Sequence, residues 1–351
     1  MLPKVLAKDK FEEFVAFLMR DHRVVAPVAK GPQFAFEDVA AAEDVGRIRM
    51  DYDISILPPK KYLLAQYEAL LAFDGREPGK ARSLLQARPT VIVGAHPYDL
   101  YGVATLDAAF SMEPKDAGYL ARRQATRLIG LNIAAYADEH QFMADMGTTE
   151  PPESGCDLFL TDLGDRYYVE VGSVAGAQMV EDSRVFRSAE GKDHKDKQAF
   201  DTRKAAGLTK KLPYNVRYLP ELLDASYDSL LWDAVARRCF SCGTCTNVCP
   251  TCYCFDVQDK LNLDAASGVR QRRWDSCQVK CFAQVAGGEN FREHRSSRLR
   301  HRMFRKGKFI LARTGKTGCV GCGRCSRHCV AKISILEAFQ QIADEAAAIG
   351  A

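Results

Sequence analysis

The sequence predicts two unlike parts, an α/β N-terminal domain and, after it, an α+β domain built around paired cysteine runs. Three observations lead there. Cys239, Cys242, Cys245 and Cys249 are spaced C-x2-C-x2-C-x3-C, and Cys319, Cys322, Cys325 and Cys329 repeat that spacing. Twelve of the thirteen cysteines lie after residue 238, which confines the redox chemistry to the last third of the chain. Ahead of them, short β-branched runs alternate with helical ones, the order of a sheet with helices packed on it.

Taken in order, residues 8–20 (KDKFEEFVAFLMR) set Phe11, Phe14, Val15 and Leu18 at helical spacing. Residues 23–28 read as a short strand, and residues 56–64, which contain Pro58 and Pro59, as a connector. Residues 90–95 (TVIVGA) form the β-branched run of a buried strand. It ends at His96-Pro97, and a helix is expected over residues 99–110. A second helix over 116–126 leads into a strand at 127–133. Residues 157–163 and 166–171 are two strands joined by Gly164-Asp165, a hairpin signal. Residues 181–212, rich in Asp, Lys and Arg, read as a solvated helical connector. Residues 220–238 read as one amphipathic helix, with Leu222, Leu223, Leu230, Leu231 and Val235 near one face, delivering the chain to Cys239. A helix over 333–348 closes the chain. The expected domains are residues 1–235, an α/β docking or scaffold domain with connector helices, and residues 236–351.

The cysteine spacing is that of a bacterial two-cluster ferredoxin, in which each run holds a [4Fe–4S] cube. Three thiolates on one tight loop surround one face of a cube, and the fourth ligand comes from the other run. One cluster is therefore assigned to Cys239, Cys242, Cys245 and Cys329, the second to Cys319, Cys322, Cys325 and Cys249. Structural zinc is the plainer alternative, but it uses two separated C-x2-C pairs, often with histidine. Disulfides need an oxidising compartment, to which nothing here points. About seventy residues separate Cys249 from Cys319, so the ferredoxin-like domain carries an insertion, about residues 255–315.

Cys252, Cys254, Cys277 and Cys281 also lie between the runs, as C-x-C and C-x3-C. Two readings stand side by side: a third metal centre, or small apolar side chains that pack around the clusters and tune them. Cys156 is solitary and reads as structural. Residues 292–308 (REHRSSRLRHRMFRKGK) are strongly basic. Arginines there would raise the potential of anionic clusters or dock an acidic partner. Aromatic residues are too sparse (Phe291, Phe304, Phe309) for a base-stacking platform, and no nucleic-acid partner is expected.

Catalytic motifs are missing. There is no G-x-G-x-x-G after a strand and no G-x-x-x-x-G-K-[ST]. His96 and Asp99 sit at the end of a strand, where open α/β sheets place ligands, although a lone His-Pro turn is commonly structural. With 351 residues and 27% charged side chains, the chain has the make-up of an ordinary two-domain globular protein. The net charge of +4 is too small to dictate a partner. The N-terminus lacks an apolar h-region, and no apolar stretch is long enough for a membrane span. A cytoplasmic, reducing location is expected, and it suits thiolate ligands.

Residues 239–257 (CFSCGTCTNVCPTCYCFDV), 274–277 (WDSC), 286–292 (AGGENFR) and 319–329 (CVGCGRCSRHC) give the chain a family likeness. Weaker matches are 57–61 (LPPKK), 94–100 (GAHPYDL), 146–149 and 157–173. Over most of its length the chain resembles the iron–sulfur subunits of anaerobic sulfite reductase and of sulfhydrogenase-type [NiFe] hydrogenases, in the latter the beta subunit. The resemblance implies a protein that carries electrons between two other subunits, one flavin-containing and NAD(P)H-linked, the other a catalytic oxidoreductase. It implies ligation by the eight cysteines of the two runs, and Cys252, Cys254 and Cys277 also match family positions, Cys281 less clearly. Many relatives have a cysteine where this chain has Tyr98, and a C-F-C where it has Gln141-Phe142-Met143. The N-terminal domain is accordingly expected to be a scaffold rather than a redox domain. The expected function is that of a non-catalytic electron-transfer subunit with two [4Fe–4S] clusters in a multisubunit oxidoreductase of anaerobic metabolism. The competing readings are a self-sufficient iron–sulfur reductase whose N-terminal domain binds flavin or substrate, and a zinc-dependent structural module.

Overall fold

The computed structural model describes residues 2–77 and 79–350, with the side chains of the last two left aside. The chain opens with β1 (Lys4–Ala7) and α1 (Phe11–Leu18), whose Phe14, Val15 and Leu18 are buried as their spacing expects. β2 (Arg23–Lys30) and β3 (Gln33–Val39) form an antiparallel hairpin. The proline-rich connector is a 3₁₀ turn, Pro59–Tyr62, followed by β4 (Tyr67–Asp74) and β5 (Arg82–Ser83). Every residue of β6 (Thr90–Ala95) is buried, and α2 (Pro97–Phe110) begins directly after it. Pro97 occupies the first turn of α2, where a missing N–H costs nothing. α3 (Ala117–Gln124) is capped by Asp116, which accepts from the Tyr119 amide at 2.8 Å. β7 (Thr126–Leu131) and the short α4 (Met143–Met146) come next. β8 (Leu158–Asp162) and β9 (Arg166–Val171) are the expected hairpin, with Gly164 at φ +105° in the turn. α5 (Val174–Ser183), β10 (Phe186–Ser188) and α6 (Gly191–Gly207) complete the N-terminal part.

Eight strands form one sheet in the order β10-β1-β9-β8-β7-β6-β2-β3. Its centre, β2-β6-β7-β8, is parallel. Such strands are covered on both faces, which is why β6 reads as a continuous apolar run rather than an alternating one. The core on this sheet runs from Leu6 and Phe14 through Ile92, Leu106 and Ile129 to Val169.

Two stretches depart from the sequence reading. Residues 220–238 are not one helix. α7 (Leu219–Ala225) and α8 (Leu231–Arg238) are separate, and Leu230 between them is 81% exposed. Serines make the break: the Ser226 hydroxyl donates to Leu223 O at 3.0 Å, and Ser229 Oγ accepts from the Leu231 amide at 2.9 Å to start the next helix. Residues 181–212 are helical in α6 but not merely solvated. Asp193 is buried and paired with Arg166 and Arg187, and buried Lys204 donates to Asn132 Oδ1 at 2.7 Å.

In the C-terminal part, α9 (Thr244–Asn247) lies inside the first cysteine run. The intervening segment contributes a hairpin, β11 (Phe255–Leu261) and β12 (Ser267–Trp274), and β12 pairs with β4. The result is a second sheet, β11-β12-β4-β5, shared by distant parts of the chain. α10 (Arg295–Phe304) passes through a π turn, Arg305–Phe309, into α11 (Ile310–Thr314). α12 (Arg324–Arg327) lies inside the second cysteine run, and α13 (Ile335–Gly350) closes the chain. Trp232, Leu299, Met303, Phe304, Ile335 and Phe339 pack these helices around the cysteines. Among the described residues, no helix is long and apolar enough to cross a membrane.

Candidate iron–sulfur site

The two cysteine runs fold alike. In each, a C-G-x-C stretch places glycine left-handed at the start of a one-turn helix, Gly243 at φ +79° before α9 and Gly323 at φ +74° before α12. The amides of Thr246 and Asn247 return to Gly243 O at 3.0 and 3.2 Å, and those of Ser326 and Arg327 to Gly323 O at 3.0 Å. A side chain at either glycine would collide, a Cβ at 243 lying 2.8 Å from Ser276 and one at 323 lying 2.9 Å from the His140 backbone. The tight loop that surrounds a cluster face is thus a consequence of the glycine inside each run.

The eight cysteines line two adjoining cavities. Cys239, Cys242, Cys245 and Cys329 line the first, with Gln278 and Leu299. Cys249, Cys319 and Cys322 line the second, with Phe142 and Lys306. Cys325 and Arg302 belong to both walls. Among the described residues, no three cysteine sulfurs lie within 4.8 Å of one another; the one compact donor group is Asp138, Glu139 and His140. Tetrahedral zinc with bonds of about 2.3 Å needs sulfurs roughly 3.8 Å apart, a grouping the cysteines do not form among the described residues.

Burial makes these thiols reluctant acids on their own. It pushes Cys245 up to about 11 and Cys319 up to about 12. A metal bound by the thiolates would displace their protons to solvent, so such a site would release protons as it filled. Cys249 differs: a hydrogen bond from the Cys252 thiol, with Lys306 and Lys60 nearby, holds it well below the usual thiol value against the cost of burial.

Cations crowd the same place. Lys60, Arg302 and Lys306 are only 2%, 4% and 3% exposed, and Arg305 is half-buried. Lys60 donates to Cys252 O at 2.8 Å and lies 4.2 Å from the Trp274 ring centroid. Lys306 donates to Thr251 Oγ1 at 2.7 Å, and Thr251 in turn contacts Cys249 Sγ at 3.2 Å. Burial works against the charge on Arg302, but Cys245, Cys325, Cys252 and Cys249 around it keep the guanidinium ionised. Among the described residues none of the four forms an ion pair with a carboxylate; nearby cysteines favour the charge on Arg302 and Lys306, Tyr253 and then Cys254 favour that on Arg305, and burial lowers Lys60 to about 8. Buried charges persist only when paired.

Residues 238–333, which hold both runs and everything between them, match the family described as a 4Fe-4S dicluster domain. The whole chain is 33% identical, over 338 residues, to sulfhydrogenase 2 subunit beta of Pyrococcus furiosus, an alignment that covers 96% of this chain and 97% of that one. The chain belongs to this sulfhydrogenase beta-subunit family.

In this beta-subunit relative the other cysteines separate into distinct places. Cys252 is buried against Cys249, and Cys254 contacts Cys277. Cys281 lies on the surface, in the turn Lys280–Ala283. Cys156 packs under the large sheet with its Sγ 3.1 Å from Leu158 O, and burial pushes its thiol up to about 12.

His96 and Asp99 are engaged elsewhere. His96 stacks on Tyr52 with ring centroids 4.1 Å apart and meets the Tyr98 hydroxyl at 2.6 Å. Asp99 binds Arg324 from inside the second cysteine run. Of the basic stretch, only Arg302 among Arg298, Arg300 and Arg302 reaches the cavities. Arg298 binds Gln278 O at 2.9 Å and Ser241 Oγ at 3.2 Å, and Arg300 lies over the Tyr227 ring at 3.9 Å. Tyr98 and Met143 fill one buried cluster with Val320 and Cys322. Gln141 is buried next to them and accepts from the Ala137 amide at 2.5 Å. Tyr98, Gln141 and Met143 thus converge on the second cysteine run as bulky side chains. Sequence reasoning missed Lys60 and Arg324, and did not single out Lys306 within the basic stretch, because a lysine or arginine carries no sign in its neighbours that it will be buried.

Proposed function

We propose that this chain is the electron-transfer subunit of a multisubunit oxidoreductase, relaying single electrons through two [4Fe–4S] clusters. The observation that carries the reading is the pair of adjoining cavities sharing Cys325 and Arg302. Cys239, Cys242, Cys245 and Cys329 would hold the first cluster, and Cys319, Cys322, Cys325 and Cys249 the second, in a ferredoxin-like domain over residues 236–351 with its insertion at about 255–315. A bound cube accepts and returns one electron at a time.

The chain's own side chains suit that task. Each oxidised cube with four thiolates carries a formal charge of about −2, so two cubes balance Lys60, Arg302, Arg305 and Lys306. Apolar Phe142, Leu299 and Ile335 keep water from the walls. The N-terminal domain, residues 1–235, positions the second run by packing Phe142–Thr148 on it: the Phe142 amide donates to Gly321 O at 2.8 Å and Thr148 Oγ1 to Val320 O at 2.7 Å. Likeness to a sulfhydrogenase beta subunit supports two partners in the cytoplasm, a flavin-containing, NAD(P)H-linked donor and a hydrogenase- or sulfite-reductase-like catalytic subunit. Iron and acid-labile sulfide per chain, measured on anaerobically purified protein with EPR after reduction, test the reading. About eight of each with cubane signals is the expected result. Stoichiometric zinc with little iron would sink it.

A further inference from the structure

The two cysteine runs fold alike but are covered differently. Aligned cysteine on cysteine, Phe240-Ser241 stands where the second run has Val320-Gly321, and Val330-Ala331-Lys332 where the first has Pro250-Thr251-Cys252. The backbone repeats as well. Ser241 is left-handed at φ +56° and Gly321 at φ +65°. The Lys332 amide returns to Cys329 O at 3.0 Å, as the Cys252 amide does to Cys249 O at 3.4 Å.

The N-terminal domain covers one of these equivalent faces. Val320 is buried in a cluster with Tyr98 and Met143, and its oxygen accepts from Thr148. Pro250 lies so close to Gly102 of α2 that a Cβ there would stand 2.6 Å from it, and Thr251 is fully buried. The cover also brings acid to the arginines of the second run, Asp99 to Arg324 and Asp138 to Arg327.

The other face is bare. Phe240 is 69% and Val330 74% exposed, although both line the first cavity. Cys242, on the same wall, is the one exposed cysteine of the eight. Ser241 and Lys332, at φ +56° and +52°, keep a backbone conformation that residues other than glycine seldom adopt, and strain of this kind collects at functional sites. The rim is basic: residues 237–247 and 328–332 hold Arg237, Arg238 and Lys332 and no carboxylate. All three are exposed. Among the described residues none has a carboxylate partner such as Asp228 gives Arg300 or Asp138 gives Arg327. Asp233, four positions before Arg237 on α8, leaves the excess positive. Two such rims repel, so the face does not suit a second copy of this chain.

We infer that this face of the first cavity is the docking port for a partner protein that presents acidic residues around its own one-electron redox centre. The inference rests on the two-cluster reading above. The partner takes, on the first run, the place that the N-terminal domain takes on the second. Its apolar contacts cover Phe240 and Val330, and its carboxylates meet Arg237, Arg238 and Lys332. One electron passes between its centre and the first cluster, one being reduced as the other is oxidised, and no bond forms or breaks.

The test uses the full chain loaded with iron and sulfide, reduced with dithionite, freed of the excess and mixed in stopped flow with cytochrome c as a one-electron acceptor. Native cytochrome c is basic and its succinylated form acidic, so one acceptor is offered with either sign. The acidic form is expected to be reduced about tenfold faster at low salt, and the difference to vanish at about 0.5 M salt. Arg238→Glu combined with Lys332→Glu should reverse the preference with iron per chain unchanged, whereas Lys192→Glu combined with Lys195→Glu, on α6, should preserve it. Rates that ignore the sign of the acceptor, or that both double variants alter equally, would overturn the proposal. In the complex of this chain with its partner subunits, carbodiimide should join Lys332 to a carboxylate of another subunit, and Phe240 should be shielded from hydroxyl-radical oxidation. A Phe240 as reactive there as in the isolated chain would overturn the proposal, as would a dimer of this chain that Phe240→Ala dissolves. A wild-type chain with too little iron for two clusters would overturn the reading beneath it instead.

Discussion

Arg324 and Asp99 form a bidentate ion pair in which both side chains are fully buried, with Nη1–Oδ1 at 2.6 Å and Nη2–Oδ2 at 2.8 Å. Arg324 also donates to Ser55 O and Ser55 Oγ at 2.8 and 2.9 Å. The pair fastens the second cysteine run to the first turn of α2 and to the connector before it. All three guanidinium nitrogens are thereby hydrogen-bonded, through four of their five N–H donors, which is what makes burying the charge tolerable.

Removing one partner should be costly. Asp99→Ala leaves Arg324 charged and unpaired in the interior, and breaking such pairs costs about 3–5 kcal/mol. The expected outcome is a lower denaturant midpoint together with reduced iron at the second cluster. The double variant Asp99→Leu, Arg324→Met should recover much of the stability, because no lone charge remains. Equal midpoints for Asp99→Ala and wild type would show that the pair does not hold the two regions together.

A second ion-pair group sets an acid limit on the N-terminal domain. Asp193 binds Arg187 and Arg166 at 2.6 Å each, joining α6 to β9 and β10. The Arg187 guanidinium, with Arg166 and the Glu190 amide, holds its carboxyl well below the ordinary carboxylate value. A carboxyl depressed in the folded state stabilises the fold above its unfolded pKa of about 3.9. That stabilisation is lost as the pH falls through the lower folded value. Wild type should therefore exceed Asp193→Asn in urea midpoint at neutral pH, and the gap should close progressively below about pH 4. A gap that does not change with pH would exclude ionisation as its origin.

Cluster ligation is tested one run at a time. Cys242→Ala and Cys322→Ala should each lose about half the iron and block electron flow, while the eight-stranded sheet, which contains neither residue, keeps its fold by circular dichroism. Retention of both clusters with full activity in either variant would break the assignment.

What the sequence revealed follows from where physics leaves a local mark. β6 was legible because a strand covered on both faces needs apolar residues throughout, and TVIVGA has them. The two cysteine runs were legible because their spacing repeats, and the fold sets them around two adjoining cavities in the region that matches the dicluster family. β12 was not, since it crosses the second sheet as SGVRQRRW. Its Arg272 is buried by pairing with Glu68 on β4, at 2.6 Å from Nε, and a charge neutralised by a residue some two hundred positions away leaves no apolar pattern. Arg324 was hidden for the same reason, whereas Lys60, in an apparently solvated LPPKK, was hidden because its partners, Cys252 O and the Trp274 ring, are far away in sequence. The helix over residues 220–238 failed at Ser226 and Ser229, whose hydroxyls compete for backbone groups that an unbroken helix would use itself.

The basic stretch yields the sharpest separation of roles. Arg302 lines both cavities, whereas Arg300 lies over Tyr227 and donates to its backbone oxygen at 2.8 Å, away from the sulfurs. A positive charge favours the reduced, more anionic cluster, so removing it lowers the reduction potential. A unit charge a few ångströms away is worth about 2–4 kcal/mol at an effective dielectric constant of about 20, on the order of 100 mV for one electron. Arg302→Gln should therefore lower the potentials of both clusters in an EPR-monitored titration, and Arg300→Gln should leave both unchanged. Because Arg302 stands on both walls, a shift confined to one cluster would contradict its place between them. Equal shifts in the two variants would mean that the basic stretch acts as a diffuse field instead of through one buried guanidinium.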